Sequence, residues 1–114
     1  MANAFKKKIS KGIGTALTQV GSYAVPSSTE VTVIGLSVSN VTGSSVDVDV
    51  ALSATMSNTT NDISLGTSIP VPSGASVIII GGDQKLVMEP TDLIKVKSSA
   101  AASVDVVMSI LEIT

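Results

Sequence analysis

Residues 69–97, IPVPSGASVIIIGGDQKLVMEPTDLIKVK, carry three short apolar runs separated by tight-turn signals, and this punctuation constrains the fold more than any other stretch. Pro72-Ser73-Gly74 leads into 77–80, Gly81-Gly82-Asp83 turns the chain into 85–89, and Pro90-Thr91-Asp92 turns it into 93–97. Glycine can take the positive φ that such turns need, while proline pre-sets φ and withholds a donor. Three short β segments are therefore expected. The continuous run Val77, Ile78, Ile79 and Ile80 predicts a strand buried on both faces.

The same grammar extends to the rest of the chain. Residues 46–53 alternate, with Val46, Val48, Val50 and Leu52 facing inward and Asp47, Asp49, Ala51 and Ser53 facing out. In 31–40 the alternation puts Ile34, Leu36 and Val38 on one face and Gly35, Ser37 and Ser39 on the other. Thr42-Gly43-Ser44-Ser45 between these two runs predicts an antiparallel hairpin. Residues 15–25 read as a first strand broken near Gly21, 56–62 as a polar loop, and 63–69 as a short edge strand. The final run, 103–113, is the longest, and its Val106-Val107 doublet breaks alternation as a bulge would. Two phrases recur: PSSTEVTVIG at 26–35 aligns with PSGASVIIIG at 72–81, and SVDV occurs at 45–48 and again at 103–106. Similar strands in both halves favour two facing sheets. The fold class is all-β, an antiparallel β-sandwich of Ig-like or jelly-roll type, since no crossover helices are available for an α/β sheet.

Composition bears mainly on function. At 114 residues the chain is one domain, long enough to bury roughly two-thirds of its unfolded surface. It is 44% hydrophobic but only 2% aromatic, so aliphatic side chains must fill the core. There is no cysteine and hence no disulfide framework or thiolate chemistry, and no histidine, the commonest general base and metal ligand. Arginine is also absent, which argues against reading of specific nucleic acid. No run approaches the roughly 20 apolar residues of a membrane helix. No catalytic residue, cofactor or small-molecule substrate is expected, and the chain reads as a non-enzyme.

Residues 1–14, MANAFKKKISKGIG, differ from all that follows: they hold Lys6, Lys7, Lys8 and Lys11, four of the seven lysines. Phe5, Ile9 and Ile13 recur every four residues, as on one face of a short helix that Gly12 and Gly14 would end. The expected organisation is a basic N-terminal arm or helix (1–14) on an acidic β-sandwich domain (15–114). Phe5, Lys6, Lys7, Lys8, Ile9 and Lys11 are the candidate partner-docking residues. On this reading, removing 1–14 leaves a folded body that assembles less well.

Other candidates fall to simpler readings. Asp47 and Asp49 share a strand face, but a calcium site needs six to eight oxygens, usually from loops, so a solvated face is expected and no metal site is assigned. Gly81-Gly82-Asp83 opens into a strand rather than a helix, so it reads as a hairpin turn and not a phosphate cradle. Lys85, Lys95 and Lys97 are interleaved with acids and lack stacking partners for nucleic acid. Tyr23, the sole tyrosine, is expected at a sheet rim.

Taken together, the basic start MANAFKK, the strand VTVIGLSVSN and the run GGDQKLVMEPTDLIKVKSSAAASVDVVMSILEI resemble small β-sandwich virion structural proteins of tailed bacteriophages, cyanophages among them. The likeness is strongest over 70–113. Pro90-Thr91-Asp92 departs from it, standing where a Gly-Asp turn is usual. The resemblance implies a multi-copy, non-enzymatic virion protein on capsid, neck or tail; the basic arm, suited to reaching a second subunit, favours a capsid cement or decoration protein, with a neck or tail accessory role as the alternative. Its partners would be further copies and other virion proteins, and its location the virion. A host-surface or carbohydrate-binding module is the rival class, weakened by the scarcity of aromatic residues.

Overall fold

Strands dominate the computed structural model, which describes residues 3–56 and 58–114; Met1 and Ala2 of the expected arm and Ser57 of the expected polar loop lie outside the described residues. In order they are β1 (Asn3–Ile13), β2 (Thr18–Gln19), β3 (Glu30–Asn40), β4 (Val46–Met56), β5 (Thr59–Val71), β6 (Ser76–Ile80), β7 (Leu86–Met88), β8 (Leu93–Ser98) and β9 (Val104–Ile113). All pairings are antiparallel. The first sheet runs β1-β9-β3-β6, with β7 beside β6 on the same flank of β3, and the second runs β2-β8-β4-β5. With β6 and β7 taken as one interrupted strand, this is the strand order of a jelly roll, not an Ig sandwich. The two sheets face each other, as expected of the sandwich class.

Aliphatic side chains fill the space between the sheets. Val31, Val33, Leu36 and Val38 on β3 meet Val106, Met108 and Ile110 on β9, and Val48, Val50, Ile94 and Val96 close the core from the other sheet. The alternation expected for β4 holds at Val46, Val48 and Val50, and Leu52 packs against the core's margin. On β3 it fails at one place. Ile34 is an extra residue opposite β9, because Val33 pairs with Ile110 while Gly35 pairs with Ser109. This bulge shifts phase, so Val33 and Leu36 both point inward and Ile34 does not join Leu36 on the core face. No bulge occurs at Val106-Val107, whose pairings to β1 and β3 are continuous; Val106 faces in and Val107 out.

Two expected hairpins are not hairpins. β3 and β4 belong to different sheets, so 42–45 is an arch between layers. The buried Asn40 side chain holds it, donating to the carbonyls of Ser44 (2.7 Å) and Val71 (3.0 Å) and accepting from Thr42 N (2.9 Å) and Thr42 Oγ1 (2.7 Å). Such local side-chain bonds divert the backbone from a ladder. The Gly81–Gln84 turn likewise joins β6 and β7, which do not pair with each other but follow one another along β3. The apolar run of β6 is therefore an edge, not a strand buried on both faces: Ser76 and Ile78 are exposed, and only Ile80 is fully buried. The true hairpin is β4–β5, and much of the expected polar loop forms its strand ends, so the edge strand β5 reaches 13 residues. The first strand expected at 15–25 shrinks to Thr18–Gln19, followed by a 3-10 turn at Val20–Ser22 where Gly21 takes φ +61°.

The N-terminal segment needs the largest correction. Residues 3–13 form neither a helix nor a separate arm but a full edge strand along β9, with Asn3 opposite Ile113 and Ser10 opposite Val106. A spacing of four fits period two as well as period 3.6, so Phe5 and Ile9 share a strand face just as they would share a helix face. Gly12, at φ +66°, marks a bulge that turns Ile13 into the core.

Candidate docking face

Strand pairing divides the six candidate docking residues between the two sides of β1. Phe5, Lys7 and Ile9 lie opposite Leu111, Ser109 and Val107, on the outer side of the first sheet. Lys6 and Lys8 lie opposite Ile110 and Met108, on the inner side. Lys11 is exposed beside the Gly12 bulge, whose amide donates to Asp105 Oδ1 (2.9 Å).

The inner lysines are engaged within the chain. Lys6 Nζ lies 2.7 Å from Glu112 Oε1, and Tyr23 Oη donates to Glu112 Oε2 at 2.5 Å. Lys8 Nζ sits 4.6 Å from the centre of the Tyr23 ring, a cation–π contact. Gly21 N donates to Ser10 Oγ (2.8 Å), and a Cβ at Gly21 would come within 2.8 Å of Lys8 Cβ. The 20–23 segment thus lies flat on β1 and needs glycine there. Hydrogen bonds from Lys6 and then Tyr23 hold the Glu112 carboxyl below its usual range, while burial, with the Glu112 bond and charge, pushes the Tyr23 hydroxyl well up. This cluster clamps the edge strand. The sequence offered no signal for Glu112 or Tyr23 as its members, because they lie 89 residues apart.

On the outer side, two rows rich in apolar residues cross the four strand positions, each passing through a small polar residue on β3. One passes from Phe5 to Leu111, Thr32 and Val87. The other passes from Ile9 to Val107, Ser37 and Ile78. Between them runs a slim row, Lys7, Ser109 and Gly35, and a groove of about 230 Å³ opens beside Gly35, Ile78 and Val107. Phe5 is 77% exposed, Ile78 72%, Val87 63%, Ile9 57% and Val107 45%. Together these equal about three fully exposed large side chains; at about 1.5–3 kcal/mol each, covering them is worth on the order of 5–9 kcal/mol before the cost of association. Grouped on one side of one sheet, these side chains make it the candidate docking face. Ile78, Val87 and Val107 were missed as docking residues. The readable signals were the unbroken run in β6 and the Val106-Val107 doublet, both sites where an apolar residue occupies an outward position.

The second sheet's outer side is different. Asp49 Oδ2 faces Lys97 Nζ at 3.6 Å, Asp62 Oδ1 faces Lys95 Nζ at 3.4 Å, and Asp49 Oδ1 accepts from Ser68 N (2.7 Å) in the bulge of β5. Among the described residues, no cluster of three or more acidic side chains is placed to hold a metal ion.

No family model matches this chain, and no curated protein matches it. Among solved structures, a chain described under "Bacillus endospore appendages form a novel family of disulfide-linked pili" is similar in fold, with a TM-score of 0.51 and 17% identity over 99% of this chain and 87% of that one. At that identity the likeness concerns the fold alone. Disulfide linkage has no counterpart here, because this chain lacks cysteine.

Proposed function

We propose that the chain is a non-enzymatic structural subunit used in many copies on a virus particle, with capsid cement or decoration as the first assignment and a neck or tail accessory role as the second. The observation that carries this reading is the uncovered pair of apolar rows on one sheet of an otherwise well-satisfied sandwich. A surface of that kind has value only when something covers it. The resemblance of 70–113 to phage structural proteins supplies the setting, and jelly rolls recur in capsid proteins. They recur in lectins too, but here Tyr23 is buried and Phe5 is the one exposed aromatic, which gives a sugar ring little to stack on.

A fibre subunit is a second reading, favoured by the fold likeness to a pilus chain. Fractionation of virus particles tests the first reading. The chain should cosediment with purified virions at many copies each, and immunogold label should fall on the particle. Label confined to filaments would favour the fibre, and a chain confined to the soluble fraction would sink both.

A further inference from the structure

We infer that two copies of this chain pack face to face through the outer side of the β1-β9-β3-β6/β7 sheet, about a two-fold axis running along the strands. This rests on the many-copy reading above and names the surface that serves it.

The sheet edges are poor sites for association. β1 carries four lysines along its length, β5 is bulged between Gly66 and Ile69, and the β6/β7 edge is interrupted by the 81–85 turn. Lysines, bulges and short strands are how sheet edges resist pairing. The outer face is less protected: Lys7 alone of the β1 lysines stands between its two rows. Four strands about 4.8 Å apart, with the ten-residue β9 rising about 3.4 Å per residue, outline a face of roughly 600 Å². Two such faces pressed together bury about 1,200 Å², the lower limit of a stable protein interface. A second copy is therefore large enough an occupant.

The face is also complementary to itself. A two-fold axis along the strands lays β9 of one copy over β3 of the other, and β1 over β6 and β7. The bulky β9 positions, Leu111 and Val107, then meet the slim β3 positions, Thr32 and Ser37. At the margins Phe5 meets Val87, and Ile9 meets Ile78. Lys7 sits at the level of Gly35, which lies next to Ile80 at the start of the 81–85 turn. The axis therefore carries Lys7 toward the other copy's Asp83. Among the described residues neither Lys7 nor Asp83 has an ion-pair partner within its own chain, and Lys85 is turned back onto the Gly82 carbonyl. Sheets packed this way stack about 10 Å apart with interdigitated side chains.

Light scattering and sedimentation of the intact chain test the inference. The expected mass is twice that of the 11.5 kDa chain. Phe5→Asp and Ile78→Lys each place an ion in the desolvated patch and should weaken the dimer by at least about tenfold. At dilutions where every variant is monomeric, their thermal melts should stay near that of the unaltered chain, since both side chains are exposed in the monomer. Lys7→Glu and Asp83→Lys should each weaken it, and their combination should recover it. An intact chain that is monomeric at about 100 μM, weaker than a micromolar-class complex, would overturn the inference. So would a dimer indifferent to Phe5→Asp and Ile78→Lys, and failure of the charge swap would overturn the axis. A monomer that still cosediments with virions would leave the particle reading standing and assign the face to another virion protein.

Discussion

The two outer faces of this sandwich obey opposite rules. On the second sheet, the outward positions of β4, β5 and β8 include Asp49, Asp62, Lys95 and Lys97, which pair across strands around Ala51, Ser53 and Leu93. On the first sheet, the equivalent positions of β1, β6, β7 and β9 include Phe5, Ile9, Ile78, Val87 and Val107, with Lys7 and Ser109 between them. Both sheets contribute well-packed inner faces, so folding does not require the difference.

Substitutions on opposite sides of one strand should expose this contrast most strongly. Ile110→Ala, on the buried side of β9, should lower unfolding free energy by about 2–5 kcal/mol in urea titrations, whereas Val107→Ala on the outer side should stay within about 0.5 kcal/mol in the monomer. Equal losses would mean the outer row is already part of the core.

The arch at Asn40 comes next. Asn40→Ala removes the side-chain partner of the Val71 carbonyl and of the Thr42 amide, while Thr42 Oγ1 still reaches the Ser44 carbonyl, and should cost about 1–3 kcal/mol by the same measurement, with both outer faces unaffected.

The clamp beneath β1 sharpens the comparison, since it holds the strand that bears Phe5 and Ile9. Glu112 is depressed when folded, so its contribution is complete above the unfolded value of about 4.3 and is lost as pH falls through the lower folded value. Tyr23 is raised, so its contribution is present below about 10 and is lost as pH rises through the higher folded value. Glu112→Gln should cost about 1–3 kcal/mol at pH 7 and flatten the acid limb of the stability profile. An unchanged acid limb would place that dependence elsewhere.

Smallest is the ladder on the second sheet. Lys97→Ala should change stability by less than about 1 kcal/mol, and less still in high salt. Thr91→Gly should move stability in the other direction, by up to about 1 kcal/mol, because Thr91 sits at φ +75°, where a β-branched residue is strained.

The truncation expectation changes as well. Removing 1–14 would strip β9 of a neighbour and uncover Tyr23 and Glu112, so loss of fold, not only of assembly, is now the expected outcome in circular dichroism.

Local chemistry made much of the fold readable. Alternating Val46, Val48 and Val50, the turn residues near Gly74 and Pro90, and the aliphatic composition determined strands, their approximate places and a sandwich with an aliphatic core, because side-chain direction alternates with period two whatever the strand pairs with. They did not determine partners. Whether 42–45 makes a hairpin or an arch depended on four hydrogen bonds at Asn40, one of them to Val71 from 31 residues away. Whether Phe5 and Ile9 belong to a helix or an edge strand depended on β9, since a spacing of four satisfies both. Tertiary structure alone decided the jelly-roll order and gathered Phe5, Ile78, Val87 and Val107 onto one face. Each comes from a different strand, and only the register of strands distant in sequence can bring them into rows.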